Sequence, residues 1–593
     1  MTKIKHLFTA GFFILILSCQ KSSLKDTAEP NKRLAEIVDS YWKAHDEFDS
    51  FGSTSRGETK FNHILNNDIT QAFIAKEDSF RTTYYTELVK INRGSLNEND
   101  RISFDILKQK FEMADEAKKF HFELTPIQQF WGTALTFMQY GSGQSDQPFK
   151  TVKDYENFLG RINDFTIWAD TAVANMRKGM VQGYVLPKSL VVKVIPQMTT
   201  HLGSDPTKSL FYGPIDKIPS SFSSTEKAKI SADYTQAINS KLVPTFKKLA
   251  NFFQKEYLPK ARLTSGIDAV PNGAEQYKYW VKYWTTTNMT PEEIHELGLK
   301  EVARIRGEME KIKIEVGFKG DMKAFFKYVT EDAKFKTFKT PEDVLNGFHK
   351  IHVTMEPQLK KMFNNVPKSK FEIRQTEKFR EASASAEYNQ GTADGSRPGI
   401  FYVPILDAKS FVYPGMESLF LHEAIPGHHY QSSLQIENAA LPEFRKYYWN
   451  GAYGEGWALY CESLGKELGV YTDPYQYFGA LGDEIHRAIR LVVDTGIHTK
   501  GWSREKAIQY SLDNEPTSLQ AATAEIERYM AIPGQALGYK IGAIKIRELR
   551  EKYAKQLGSK FDVAKFHDKL LAFGNLPLDI MEKVMDDWAE GQK

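Results

Sequence analysis

From residue 32 onward, apolar side chains recur at three- and four-residue intervals with charged residues between them. This 3.6-residue period predicts amphipathic helices over residues 34–48, 154–178, 224–253 and 291–316. The last carries its own start signal: Thr290 as N-cap, Pro291 at the first helical position, and Glu292 and Glu293 in the first turn. Strand-like runs are few, at 371–375 (FEIRQ), 400–404 (IFYVP) and 190–195 (LVVKVI). Stretches at 203–207, 212–214 and 218–221 carry the Gly, Pro and Ser of loops. At about 100–200 residues per domain the length would suggest several domains, yet no linker, low-complexity tract or repeat divides the pattern. The expectation is one mainly α domain over residues 32–593, with one small sheet near its middle.

The first residues follow a different pattern. Two lysines precede a short apolar run from Phe8 to Leu17, too short to span a bilayer, which reads as a secretory signal peptide over residues 1–18. It ends Ile16-Leu17-Ser18-Cys19, which resembles the lipobox of bacterial lipoproteins, and the polar stretch 19–31 suits a tether. The implied location is the bacterial cell envelope, periplasmic or surface-facing, with Cys19 lipidated and that lipid the only membrane contact. Removing Cys19 from the count leaves Cys461 as a lone thiol, which excludes an internal disulfide and a Cys-rich zinc module.

Composition narrows the function classes further. With 78 basic against 75 acidic residues and no basic run, the chain lacks the electrostatic footprint of a nucleic-acid binder. The 39 Phe, 28 Tyr and 9 Trp can build a large core and an apolar cleft. No phosphate-cradling Gly loop, Ser nucleophile elbow or dinucleotide fingerprint occurs.

The chemistry gathers late in the chain. Five of the 14 histidines, His422, His428, His429, His486 and His498, fall within 77 residues. The string Leu421-His-Glu-Ala-Ile-Pro-Gly-His-His429 places a Glu directly after one His and further His residues a short way on. That is the pattern of a zinc hydrolase, in which two neutral imidazoles hold Zn²⁺ and the Glu deprotonates a water. The usual spacing between the imidazoles is four; here it is six or seven. Pro426 cannot donate to the carbonyl of His422, so the helix must bulge or restart at Pro426-Gly427. Gly427 can then fold the two extra residues outward, which makes His428 the preferred second ligand, with His429, on the same face of an ideal helix as His422, as the alternative. Glu455, opening an amphipathic helix 27 residues past His428, is the candidate third ligand. The flanking Gly454 and Gly456 would allow the backbone close to the metal. Glu455 also fits a plain helix N-terminal carboxylate. His295 is expected on an exposed helix face, and His349 and His352 are expected to be ordinary surface or core residues.

Four ordered motifs, His422-Glu-x-x-Pro-Gly-His-His429, Glu455-Gly-Trp-Ala-Leu-Tyr460, Asp494-Thr-Gly-Ile-His498 and Arg528-Tyr-x-x-x-Pro-Gly-Gln-Ala536, resemble the bacterial domain of unknown function 885. Asp394-Gly-Ser-Arg-Pro-Gly-Ile-Phe-Tyr402 is in keeping with it. That family is in turn similar to the helical gluzincin peptidases, the angiotensin-converting enzyme, Taq carboxypeptidase and thimet oligopeptidase groups. The resemblance implies a large two-lobed helical fold with a deep central cleft and a sheet beside the active-site helix. It implies Zn²⁺ on His422, His428 and Glu455, with Glu423 as general base and then acid. Tyr539 and His498 rank first as oxyanion donors, ahead of Tyr529. Substrate contacts fall to His429, Arg528 and Tyr529, and Arg487, Arg490 or Arg528 could dock a substrate carboxylate. The strand at 400–404 could offer its edge to an extended peptide. The implied reaction is hydrolysis of short extracytoplasmic peptides; the alternatives are an amidase acting on cell-wall or conjugated amino-acid substrates and a non-catalytic peptide-binding lipoprotein.

Overall fold

The computed structural model describes residues 29–203, 205–378, 381, 385–392 and 395–593. The leader, Cys19 and the tether as far as residue 28 lie outside the described residues. The chain is mainly helical with one small sheet, and among the described residues no helix is long and apolar enough to cross a membrane.

The helices expected from periodicity form, with shifted ends. They run Lys32–His45 and Val152–Gln182, and α1 spans Pro291–Glu315. At the start of α1, Thr290 Oγ1 accepts from the Glu293 N–H at 3.2 Å while the Glu293 carboxylate accepts from the Thr290 N–H at 2.8 Å, a closed capping box. The expected helix at 224–253 is interrupted by a wider turn at Ile238–Leu242, just ahead of Pro244, which has no N–H to give the preceding turn.

One strand expectation fails. Residues 190–195 lie inside the helix Lys188–Thr199, whose buried residues are Leu190, Val191, Val194 and Met198. That set is a helical stripe. β-branched content suggested a strand, but Val191, Val194 and Met198 pack into an N-terminal core with Phe165, Phe246 and Tyr257 while Leu190 joins the core of α1 and the helix Pro474–Thr499, and packing overrides a weak propensity.

The sheet has three strands: β1 (Phe371–Gln375), β2 (Glu387–Asn389) and β3 (Gly399–Val403), in the order β1-β3-β2. β3 pairs parallel with β1 and antiparallel with β2. The strand at 400–404 is therefore central and has no free edge to offer. The free edge on that side belongs to β2.

An aromatic cluster attaches the sheet to the helices that carry the site. Phe401 of β3 meets Phe348 of α2 (Pro341–Met362) edge-on at 5.2 Å. Phe420 of α3 (Met416–Glu423) lies 6.1 Å from Phe371 and 6.4 Å from Phe401. The sheet thus braces α3 from one side. On the other side, α5 (Gly451–Glu462) packs on α8 (Gly538–Leu557) with almost no gap, α4 being His428–Glu437, α6 Pro474–Thr499 and α7 Leu519–Ala531. A Cβ on Gly542 would lie 1.8 Å from the Ala452 carbonyl oxygen, and one on Gly456 would lie 2.6 Å from the Gly542 Cα. Only glycine permits that approach. α1 runs along α6, and His295 on it is buried, its Nδ1 2.8 Å from Thr495 Oγ1. The exposed face expected for His295 is thus corrected, because α6 covers that side of α1.

Candidate metal centre

α3 ends at Glu423, where Ala424 leaves helical geometry at φ −105°, ψ −108°. The chain crosses a cis Ile425–Pro426 bond and restarts as α4 at His428. The inserted residues fold back against the end of α3. The His429 N–H donates to the Ala424 carbonyl at 3.1 Å, and Trp457 Nε1 donates to the Pro426 carbonyl at 3.0 Å. A Cβ on Gly427 would sit 1.9 Å from the His422 carbonyl oxygen, so this close return requires glycine. The break at Pro426-Gly427 is the one the Pro-Gly pair predicted, but the inserted residues pack inward instead of folding outward, with Ala424, Ile425, Pro426 and Gly427 all buried.

The result is convergence of three donors. His422 from α3, His428 from the start of α4 and Glu455 from the second turn of α5 bring one ligand atom each to within 4.8 Å of one another. Glu455 Oε2 lies 3.6 Å from His422 Nε2 and 3.7 Å from His428 Nε2. Donors bonded at about 2.0–2.1 Å to a tetrahedral zinc ion would be about 3.3–3.4 Å apart. The Glu455 oxygen is within a few tenths of an ångström of that spacing from each imidazole, the whole set lies within 4.8 Å, and two imidazoles with one carboxylate are a zinc-type donor set.

The polar surroundings favour the same use. His422 Nδ1 lies 2.7 Å from Oε1 of Glu462, two turns beyond Glu455 on α5. That contact holds a proton on Nδ1 and leaves Nε2 free to face the other donors. The second Glu462 oxygen is buried without a partner among the described residues. Burial pushes the Glu462 carboxyl up, offset in part by His422 and by the nearby Arg487 charge. Burial would also lower His422, but the Glu455 and Glu462 carboxylates outweigh it and raise the imidazole to about 10. Burial would raise Glu455, but the two imidazoles hold its carboxyl far below the usual range. In the absence of metal, positive charge thus gathers where a cation would bind.

The centre opens on a cavity of about 600 Å³, within the range of small-ligand sites. Glu423, Tyr539, Arg487 and Arg490 line it beside the three donors, and the β2 side contributes Glu387 and Tyr388. Glu423 is half-buried. Tyr539 is placed by the tight α5–α8 packing one turn before Gly542, and the Arg490 guanidinium lies 4.5 Å from its ring centre. Gly454 and Gly456 serve a different purpose from the expected approach to the metal. A Cβ on Gly454 would strike the Trp449 ring at 2.3 Å, and that ring stands 6.0 Å from His428 at the cavity wall.

Other candidates lie elsewhere. His429 turns away into the sheet, its Nδ1 2.9 Å from Tyr388 Oη and its ring 5.0 Å from Phe371, and burial lowers it to about 4. His498 is fully buried. Its Nδ1 accepts from the Ile267 N–H at 3.0 Å and its Nε2 donates to the Tyr529 carbonyl at 3.1 Å, so neither nitrogen is available to a substrate. Tyr529 is buried, its hydroxyl donating to Glu525 at 2.6 Å and accepting from Arg490 Nε at 3.1 Å. Arg528 is outside the cavity lining and binds Gln535 at 2.7 Å, reaching the Tyr539 hydroxyl only at 3.5 Å. Sequence reasoning missed Glu462 and Trp449. The seven-residue step from Glu455 to Glu462, which returns to the same helix face, was the available signal for the first.

The sequence profile described as "Bacterial protein of unknown function (DUF885)" matches residues 52–585. A crystal structure described as a "putative lipoprotein" from Colwellia psychrerythraea is 27% identical, covers 94% of this chain and 99% of its own, and superposes with a TM-score of 0.84. A structure from Shewanella oneidensis, described as a "putative lipoprotein of unknown function", is 19% identical over 93% of this chain and 99% of its own, with a TM-score of 0.74, and shows the fold alone. No curated protein matches the chain.

Proposed function

The chain belongs to the DUF885 family of bacterial proteins, and we propose that it is a zinc-dependent hydrolase of short peptides, held at the cell envelope by a lipid on Cys19. The observation that carries this reading is the convergence of His422, His428 and Glu455 beside Glu423 in one cavity. The lipobox-like end of the leader supports the anchor, as does the description of the similar Colwellia protein as a lipoprotein. On this reading the helices form a gluzincin-like frame with the cavity as its cleft.

His422, His428 and Glu455 would hold the zinc ion, and Glu462 would orient His422. Bound zinc supplies Lewis acidity for a peptide carbonyl and a lowered pKa for a water molecule. Glu423, adjacent to His422, takes a proton from the attacking water and returns it to the leaving amine. Tyr539 lines the same cavity and donates its hydroxyl to the oxygen that becomes negative as the carbonyl carbon turns tetrahedral. His498 has no part in this scheme because both its nitrogens are engaged.

Metal analysis of the mature chain together with a mixed-peptide cleavage assay tests the reading. The expected result is about one zinc per chain and cleavage that falls about 10²–10⁴-fold in Glu423→Gln with zinc retained. A wild-type protein that cleaves nothing after zinc reconstitution overturns it.

A further inference from the structure

Two arginines of α6, Arg487 and Arg490, lie one turn apart on the face that lines the cavity, and they are held very differently. Arg490 is buried and engaged by a carboxylate: Nε donates to the Tyr529 hydroxyl at 3.1 Å, Nη2 to Glu525 at 2.9 Å, and its guanidinium faces the Tyr539 ring, with Nη1 alone lacking a partner among the described residues. Its charge is matched by Glu525, which also accepts from Tyr529. Arg487 is about one-fifth exposed. Among the described residues its only hydrogen bond runs from Nη1 to the Asp483 carbonyl, at 3.3 Å. The Asp483 carboxylate is 3.8 Å away, beyond hydrogen-bond distance, and accepts instead from Ser418 Oγ at 2.5 Å. Arg487 Nε is buried with no partner among the described residues.

A partly exposed guanidinium on a cavity wall, whose charge no carboxylate meets at hydrogen-bond distance, is a fork awaiting an acceptor. The planar fork fits a carboxylate, through two parallel N–H···O bonds. Three carboxylates already line the cavity, Glu387, Glu423 and Glu455. Glu455 belongs to the metal triad, and Glu423 follows His422 at the end of α3. The Arg487 charge is the one on the α6 wall that no carboxylate meets at hydrogen-bond distance.

We propose that Arg487 docks a carboxylate of the substrate, foremost the free C-terminal carboxylate of a peptide, so that hydrolysis at the triad trims peptides from that end. In that step water adds across the bond, its oxygen to the carbonyl carbon and a proton to the departing amine, and no other reactant is needed. The trimming direction rests on the hydrolase reading above; the carboxylate dock does not.

Calorimetric titration of the mature chain carrying Glu423→Gln, which slows turnover about 10²–10⁴-fold, tests the dock with three probes: Ala-Ala-Phe, its C-terminal amide, and Ala-Ala-Glu amide. The free acid is expected to bind about 10- to 100-fold tighter than its amide, and Arg487→Gln is expected to erase that difference. Arg487→Lys, which keeps the charge and loses the fork, is expected to fall between. Tight binding of Ala-Ala-Glu amide, lost in Arg487→Gln, would sustain the dock and assign it to an acidic side chain. Equal binding of acid and amides, no binding at all, or a preference that survives Arg487→Gln overturns the proposal. Selective binding by a protein that proves unable to cleave would overturn the hydrolase reading and leave the dock standing.

Discussion

Two histidine-centred clusters stand close together in this chain, and their sequences look equally catalytic. One is His422, His428 and Glu455; the other is Asp494, His498 and the Pro533-Gly534 turn. In the first, the ring nitrogens that face one another have no donor or acceptor among the described residues other than the carboxylate between them, and the group opens on a cavity. In the second, every polar atom closes on a neighbour. Asp494 accepts from the Tyr277 hydroxyl at 2.5 Å and from the Gly534 N–H at 3.1 Å, and both His498 nitrogens meet backbone groups. The second cluster ties α6 to the turn after α7 and to the loop before residue 273. A ring of unmet donors and acceptors facing empty space marks a site, whereas a saturated one marks a joint.

Substitution should separate the two clusters most widely in metal content. His428→Ala is expected to reduce bound zinc from about one equivalent to near none, because two donors alone cannot close a structural or catalytic zinc site. His429→Ala, its neighbour, and His498→Ala should retain zinc when the same samples are measured by mass spectrometry. Loss of zinc in His429→Ala with retention in His428→Ala would break the assignment. His498→Ala should instead lower unfolding stability by about 2–4 kcal/mol in urea titrations, the cost of an emptied buried site and two orphaned backbone groups.

A smaller effect sharpens the first cluster. Glu462→Gln keeps the shape but weakens the contact that orients His422, so zinc affinity should fall by about 10–100-fold in competition with a chelator. Unchanged affinity would reduce Glu462 to a packing residue.

The smallest expected effect concerns pH in the second cluster. Burial lowers His498 from 6.5 to about 3. The unfolded chain therefore takes up a proton there near pH 6.5 that the folded chain refuses, so stability from this residue is present above pH 6.5 and is lost as the pH falls towards 3. Asp494 acts in the opposite sense: burial raises it to about 7, so its contribution declines as pH rises from about 4 to 7. Removing His498 should shrink the loss of stability between pH 7 and pH 5 by about 2 kcal/mol relative to wild type. An unchanged pH slope would mean that His498 is protonated in the folded chain.

Much of this was legible in the residues. Helical periodicity located the helices, since an amphipathic stripe needs only local spacing to be read. Pro426 and Gly427 announced the break in the site helix, because proline lacks a donor and glycine tolerates a close return. His422, His428 and Glu455 could be named together because their residue types and spacings limit which of them can face one ion.

Tertiary contacts decided the remainder. Whether 190–195 became strand or helix depended on which side of it the N-terminal core would cover. Which strand kept a free edge depended on β2, a short segment just ahead of β3 with no strand pattern of its own, folding back antiparallel to cover it. His498 became a joint because Ile267, 231 residues away in sequence, delivers an N–H to it. Arg487 and Arg490 carry the same side chain on the same helix face, and only Glu525, brought by α7, gives Arg490 a carboxylate at hydrogen-bond distance that Arg487 lacks. Spacing along the chain determines what a side chain can do chemically; which of its donors and acceptors remain unmet is set by elements far away in sequence, and that decides what it does.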